Sequence, residues 1–169
     1  MKRSKITDKP AGKIALLGIL AALAVALSWL ESVLPALPVP GAKWGLSNLA
    51  TMTALSGMGW PAGLAITLVK AGFALLRGGT AALMSLAGGV CSLPVMALLW
   101  RKGRPAAGFL GIGIAGAAAH NAGQLLMAMA LVDAGLWRYA PVLLVMAIAA
   151  GSVTGLVMRV VWPALKRIL

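Results

Sequence analysis

The sequence predicts an all-α, polytopic membrane protein, a bundle of six helices, on three observations. Hydrophobic residues make up 61% of the 169 residues and charged residues only 11%, whereas soluble domains carry about a quarter charged residues. The apolar residues fall in long runs without ten-residue alternating β patterns, so helices must satisfy the backbone in lipid. The charges are 15 Lys or Arg against three acidic residues, Asp8, Glu31 and Asp133, and they cluster between the runs as membrane topology requires. Nucleic-acid binding would call for a continuous basic stripe with interleaved aromatics. These clusters form none, and no nucleic-acid partner is expected.

At about 20 residues per span and a few per loop, the chain holds a basic N-terminal segment, residues 1–10, and one six-helix transmembrane domain, residues 11–169. The first run, 11–34, carries Ala11, Ala15, Gly18, Ala22 and Ala26 at mostly four-residue spacing. Such a stripe of small residues lets another helix approach closely, either within the chain or from a separate membrane subunit. A Lys-rich start before an apolar run also resembles a signal peptide. The run is longer than a usual signal core, contains Glu31 and lacks a small-residue cleavage site, so it is expected to be retained as a helix.

The connection that follows holds Pro35, Pro38, Pro40, Gly41, Lys43, Trp44, Gly45 and Asn48. Its prolines oppose a helix, its glycines allow unusual dihedrals, and Lys43 with Trp44 adds a cation and an aromatic at the interface. This density is more than a simple turn needs and is expected to form a lid or a site wall. The second run, 46–57, is short for a perpendicular span and is expected to be broken or partly re-entrant.

The third run, 61–76, contains Lys70 well inside it, with Arg77 seven residues later. A lysine at the bilayer centre costs about 2.5–3.5 kcal/mol on insertion scales, so Lys70 should face a cavity or a partner. Glu31 is the acidic residue nearest in topology. Either it pairs with Lys70 or Arg77 structurally, or the cations form the wall of a ligand site. The fourth run, 80–100, carries Gly88, Gly89 and Pro94; the fifth, 106–132, carries Gly108, Gly111, Gly113, Gly116 and Gly123. These permit close packing or interrupted helices that line a site. On the fifth run His120 and Gln124 are four apart and share a face, with Asn121 turned by about 100°. Each alone could be an interhelical hydrogen bond; together they can present donors and acceptors to a polar ligand head. The sixth run is 139–165.

Six spans put Lys2, Arg3, Lys5, Lys9 and Lys13 on the same side as Arg101, Lys102 and Arg104 and as Arg159, Lys166 and Arg167. The other side receives only Lys43, Arg77, Asp133 and Arg138, so both termini are expected in the cytoplasm and the protein in the plasma or inner membrane. A single cysteine, Cys91, and a single histidine leave no disulfide framework and no multi-cysteine or His-rich metal site.

The run Pro40-Gly41-Ala42-Lys43-Trp44-Gly45-Leu46-Ser47-Asn48, with Ser85-Leu86-Ala87-Gly88-Gly89, Met96 and the segment from Gly116 through His120 and Asn121 to Gln124, resembles the Gx transporter family. That family is also labelled heptaprenyl diphosphate synthase component I. The resemblance covers nearly all of the chain after its basic start. It implies a likeness to the substrate-binding S components of energy-coupling factor (ECF) transporters, six-helix proteins that capture vitamin-like solutes and work with a coupling subunit and two ATPases. In those proteins an AxxxA pattern on the first helix contacts the coupling subunit, and Ala22 with Ala26 is similar to it. Trp44 and Ser47 stand where Leu and Ala are commoner in the family, and Lys70 where Arg is commoner, which leaves the charge but bears on specificity.

No enzyme is expected in this chain. Prenyl diphosphate synthases hold magnesium with Asp-rich clusters, and the two aspartates here, Asp8 and Asp133, are far apart. No GxxxxGK[ST] loop occurs either, so ATP drive would come from partners. The expectation is a subunit without catalytic residues, cofactor or metal, binding a small solute, anionic or vitamin-like, through Glu31, Lys43, Trp44, Asn48, Lys70, Arg77, His120, Asn121 and Gln124. The alternatives are a membrane accessory component of a polyprenyl diphosphate or quinone biosynthesis enzyme, and a stand-alone secondary transporter.

Overall fold

The computed structural model describes residues 9–33, 45–100 and 107–168. Among these are six α-helices: α1 Pro10–Val33, α2 Asn48–Met58, α3 Trp60–Leu75, α4 Gly79–Leu99, α5 Gly108–Leu131 and α6 Ala140–Ile168, with a 3-10 turn at Ala134–Tyr139 before α6. The ends lie within about three residues of those predicted, which is the usual uncertainty of helix boundaries.

Three segments, Pro10–Val33, Gly79–Leu99 and Ala134–Arg167, are long and apolar enough to cross a membrane, and Trp60–Leu75 is apolar but shorter. Six helices are therefore present, and three of them meet that standard. α5 has the length, with 24 residues, but His120, Asn121 and Gln124 dilute its apolar character.

Exposure is inverted relative to a soluble protein. Leu76, Val160 and Ile14 are exposed, whereas Lys70, Asn48, His120, Gln124, Thr51 and Thr67 are buried. Lipid tails are as apolar as leucine, so outward-facing Leu and Val cost nothing there, and polar groups turn inward to find partners.

Helix directions follow from paired contacts. A side chain on Gly63 would meet Leu93, and one on Gly89 would meet Thr67, so α3 and α4 are antiparallel. Gly116 lies against Met96 and Gly88 against His120, which makes α4 and α5 antiparallel and α3 and α5 parallel. α6 returns along α5, with Gly151 on the Ile114 backbone and Gly155 on the Leu110 backbone. These two glycines, four apart, replace side-chain contact with backbone contact, the close approach that small residues provide in membranes.

α2 touches each of the other five helices. It is nearly all buried from Asn48 to Leu55, and such a helix has no polar face to turn outward. The expected short second element is thus an interior helix joined to α3 through Gly59, whose φ of +91° suits glycine. Met52 and Leu55 of α2 share a core with Leu93, Met96, Ile112 and Met158. Beyond it, Trp100, Phe109 and Trp162 form an aromatic cluster with centroids 5.0–5.7 Å apart. These contacts fix α4, α5 and α6 at the end of the bundle away from Ser47.

Candidate functional site

The site begins at the N-terminus of α2, where the helix dipole favours negative charge. Ser47 has no side-chain cap of its own. Instead Glu31, at the end of α1, accepts from the Ser47 backbone N–H at 3.0 Å and from its hydroxyl at 3.2 Å. The carboxylate of one helix thus caps another.

The adjacent residue, Asn48, accepts a hydrogen bond from the Lys70 ammonium, Nζ to Oδ1 at 2.8 Å. Both residues are 6% exposed. Lys70 is therefore held inside the bundle by the start of α2, with the Glu31 carboxylate engaged on the residue next to its acceptor. Arg77 parts company with it. α3 ends at Leu75, so Arg77 lies in the turn to α4 and is exposed. The seven-residue spacing would place both on one face only if the helix continued.

Two glycines position the deeper layer. A Cβ on Gly88 would sit 2.7–2.8 Å from three ring atoms of His120, so the imidazole lies flat against the α4 backbone. Its neighbour Gly89 faces Thr67, whose hydroxyl donates to the Gly63 carbonyl at 3.0 Å. Adjacent residues of α4 thereby bring α3 and α5 to one level. One turn further along the parallel helices come Lys70 on α3 and Gln124 on α5. Thr51, one turn along α2 from Asn48, runs back towards the Thr67 level because α2 is antiparallel to α3. Along the bundle axis these buried polar residues therefore fall at two levels: Thr51, Thr67 and His120, then Asn48, Lys70 and Gln124.

Not all of this group is internally satisfied. Gln124 is 2% exposed, and neither its Oε1 nor its Nε2 has a hydrogen-bond partner; Thr51, also 2% exposed, has none at Oγ1. Leaving a buried polar group unpaired costs about 1–3 kcal/mol. Asn121 is turned elsewhere and donates from Nδ2 to the Leu143 carbonyl of α6 at 3.0 Å, so its amide ties α5 to α6.

The structure therefore brings together Glu31, Asn48 and Lys70 through Ser47, places His120 and Gln124 on α5 across α4 at the same height, and sets Asn121 and Arg77 apart from them. Lys43 and Trp44 lie outside the described residues. Sequence reasoning missed Ser47 as a link and Thr51 altogether. Thr51 follows Asn48 by three residues in an apolar helix, a spacing that could have flagged it. Among the described residues no three His, Cys, Asp or Glu side chains gather to hold a metal.

Ala22 and Ala26 are exposed on α1. They floor a groove of about 530 Å³ between α1 and α3, walled by Val25, Trp29, Val69 and Phe73. Small residues here serve an open surface as well as internal packing. A separate cleft of about 460 Å³ lies at the other end of α1 and α2, beside Lys13 and Met58.

A family model described as heptaprenyl diphosphate synthase component I matches residues 20–161. Neither a curated protein nor a solved structure matches the chain.

Proposed function

Because the chain belongs to the heptaprenyl diphosphate synthase component I family and has helices long and apolar enough to cross a membrane, we propose that it is a membrane-embedded, substrate-binding subunit resembling the S components of ECF transporters. It would take up a small solute, anionic or vitamin-like, and draw ATP drive from partner subunits. The observation that carries this reading is the buried Lys70 ammonium on Asn48. A cation inside a membrane bundle is expensive and marks a ligand or ion path more often than a packing element.

In this reading Lys70 holds an anionic group, while Arg77 and Lys43 attract it from the surrounding water. His120 and Gln124 bond the polar part of the ligand, and Trp44 stacks on it. Glu31 and Asn48 orient Lys70 and the start of α2. Asn121 supports the site through α6. The groove over Ala22 and Ala26 is where a coupling subunit would dock, its backbone close to α1. Both termini are cytoplasmic, and the ligand enters from the opposite side.

Native mass spectrometry of protein extracted mildly from its own membrane tests the reading. A bound small molecule together with a coupling subunit and ATPases is the expected result. The family description favours a second reading, a non-catalytic membrane component that works with a prenyl diphosphate synthase. Copurification of a soluble synthase, with no ATPase and no small solute, would replace the first reading with the second.

A further inference from the structure

The side chain of Gln124 is buried to 2% exposure with both ends of its amide unpartnered. An amide offers two N–H donors at Nε2 and two acceptor lone pairs at Oε1, side by side. Leu or Met would fill the same space in an apolar bundle with no unmet hydrogen bond. The residue is also not loosely placed. His120, one turn before it, is fixed against Gly88, and Gly123 beside it abuts the Ala87 carbonyl, so the α5 backbone that carries Gln124 is held firmly against α4.

From this we infer that the ligand presents to Gln124 an acceptor and an N–H donor on neighbouring atoms, the edge of a lactam, imide, ureide or primary amide. The inference rests on the substrate-binding reading and narrows it. A carboxylate or a fully ionised phosphate can receive the Nε2 donors but turns only lone pairs towards Oε1, so such an anion leaves half of Gln124 unmet. An amide edge meets both halves in a paired, planar contact. Thr51, with its hydroxyl likewise unpartnered and both a donor and an acceptor, is the second group that such a ligand can satisfy. Lys70 then serves any charge the same molecule carries elsewhere. Sites that read donor and acceptor together reject analogues lacking one of them far more strongly than apolar pockets reject a missing methylene.

The test is to extract the full-length protein in mild detergent, release its bound small molecules and determine their structures by accurate mass and fragmentation. The wild type is compared with Gln124→Leu, Gln124→Glu and the lipid-facing control Leu126→Ala. The expected result is a molecule with an amide-type edge, carried equally by the control, reduced at least tenfold in Gln124→Glu and absent from Gln124→Leu. Ligand-stripped Gln124→Leu should melt no lower than stripped wild type, because an unmet polar group has been removed. A released solute without a neighbouring donor and acceptor, or full retention by Gln124→Leu, overturns the inference and leaves the substrate-binding reading standing. A lower melting temperature of stripped Gln124→Leu assigns Gln124 to the scaffold and also overturns it. Absence of any small molecule from the wild type overturns the substrate-binding reading and the inference together.

Discussion

Lys70 donates to Asn48 across 22 residues of sequence, with 2.8 Å between nitrogen and oxygen, and this bond fastens the middle of α3 to the first turn of α2. Asn48 follows Ser47, which is bound to Glu31, so α1, α2 and α3 meet in one polar chain. Asn48→Ala should lower stability by about 2 kcal/mol, since a buried charge loses an acceptor, and Asn48→Asp should lose less. Thermal melting in detergent, with both variants compared to wild type, checks the order.

Gly88→Ala should displace His120. The added methyl would sit 2.7 Å from the ring Cε1, and a ring pressed on a backbone has few ways to yield. Overpacking of this kind costs about 1–3 kcal/mol. In the substrate-binding reading, ligand retention falls along with the melting temperature, and the double variant Gly88→Ala with His120→Ala regains the stability but not the ligand.

At Gly155 the obstacle is backbone. A Cβ there would lie 2.6 Å from Leu110 Cα and from the Phe109 carbonyl oxygen, atoms that cannot rotate away. Gly155→Ala should therefore separate α5 from α6 and destabilise more than Gly18→Ala, where a Cβ meets nothing within 4 Å. The two melting temperatures settle the comparison.

Ala22→Leu and Ala26→Leu act on an open groove, so the isolated protein should melt within about 0.5 kcal/mol of wild type, as exposed substitutions do. Filling the groove should nevertheless abolish copurification of a coupling subunit. Retention of such a subunit at wild-type levels would move the docking surface elsewhere.

Much of this was legible along the chain. Hydropathy and charge placement gave six helices with nearly correct ends, because each helix must satisfy its own backbone in lipid whatever surrounds it. The polar residues at membrane depth stood out for the same reason, their cost being a property of residue and depth. The Gly151 and Gly155 pair is readable as a G-x-x-x-G spacing, although the richer run of glycines on α5 is the stronger signal. Thr51 looked like an ordinary member of an apolar run.

The sequence by itself determined the class of the protein, its helices and the candidates Lys70, His120 and Gln124, since composition and period are local properties. Which candidates lie together and which lie apart was decided only by tertiary structure. Where α3 stops separates Arg77 from Lys70, and the α5–α6 contact draws Asn121 to the Leu143 carbonyl. The capture of Ser47 by Glu31 and the level shared by Lys70 and Gln124 depend on which helices are neighbours and in which direction they run. Those are relations between segments far apart in the chain, fixed by glycine contacts that no single helix contains.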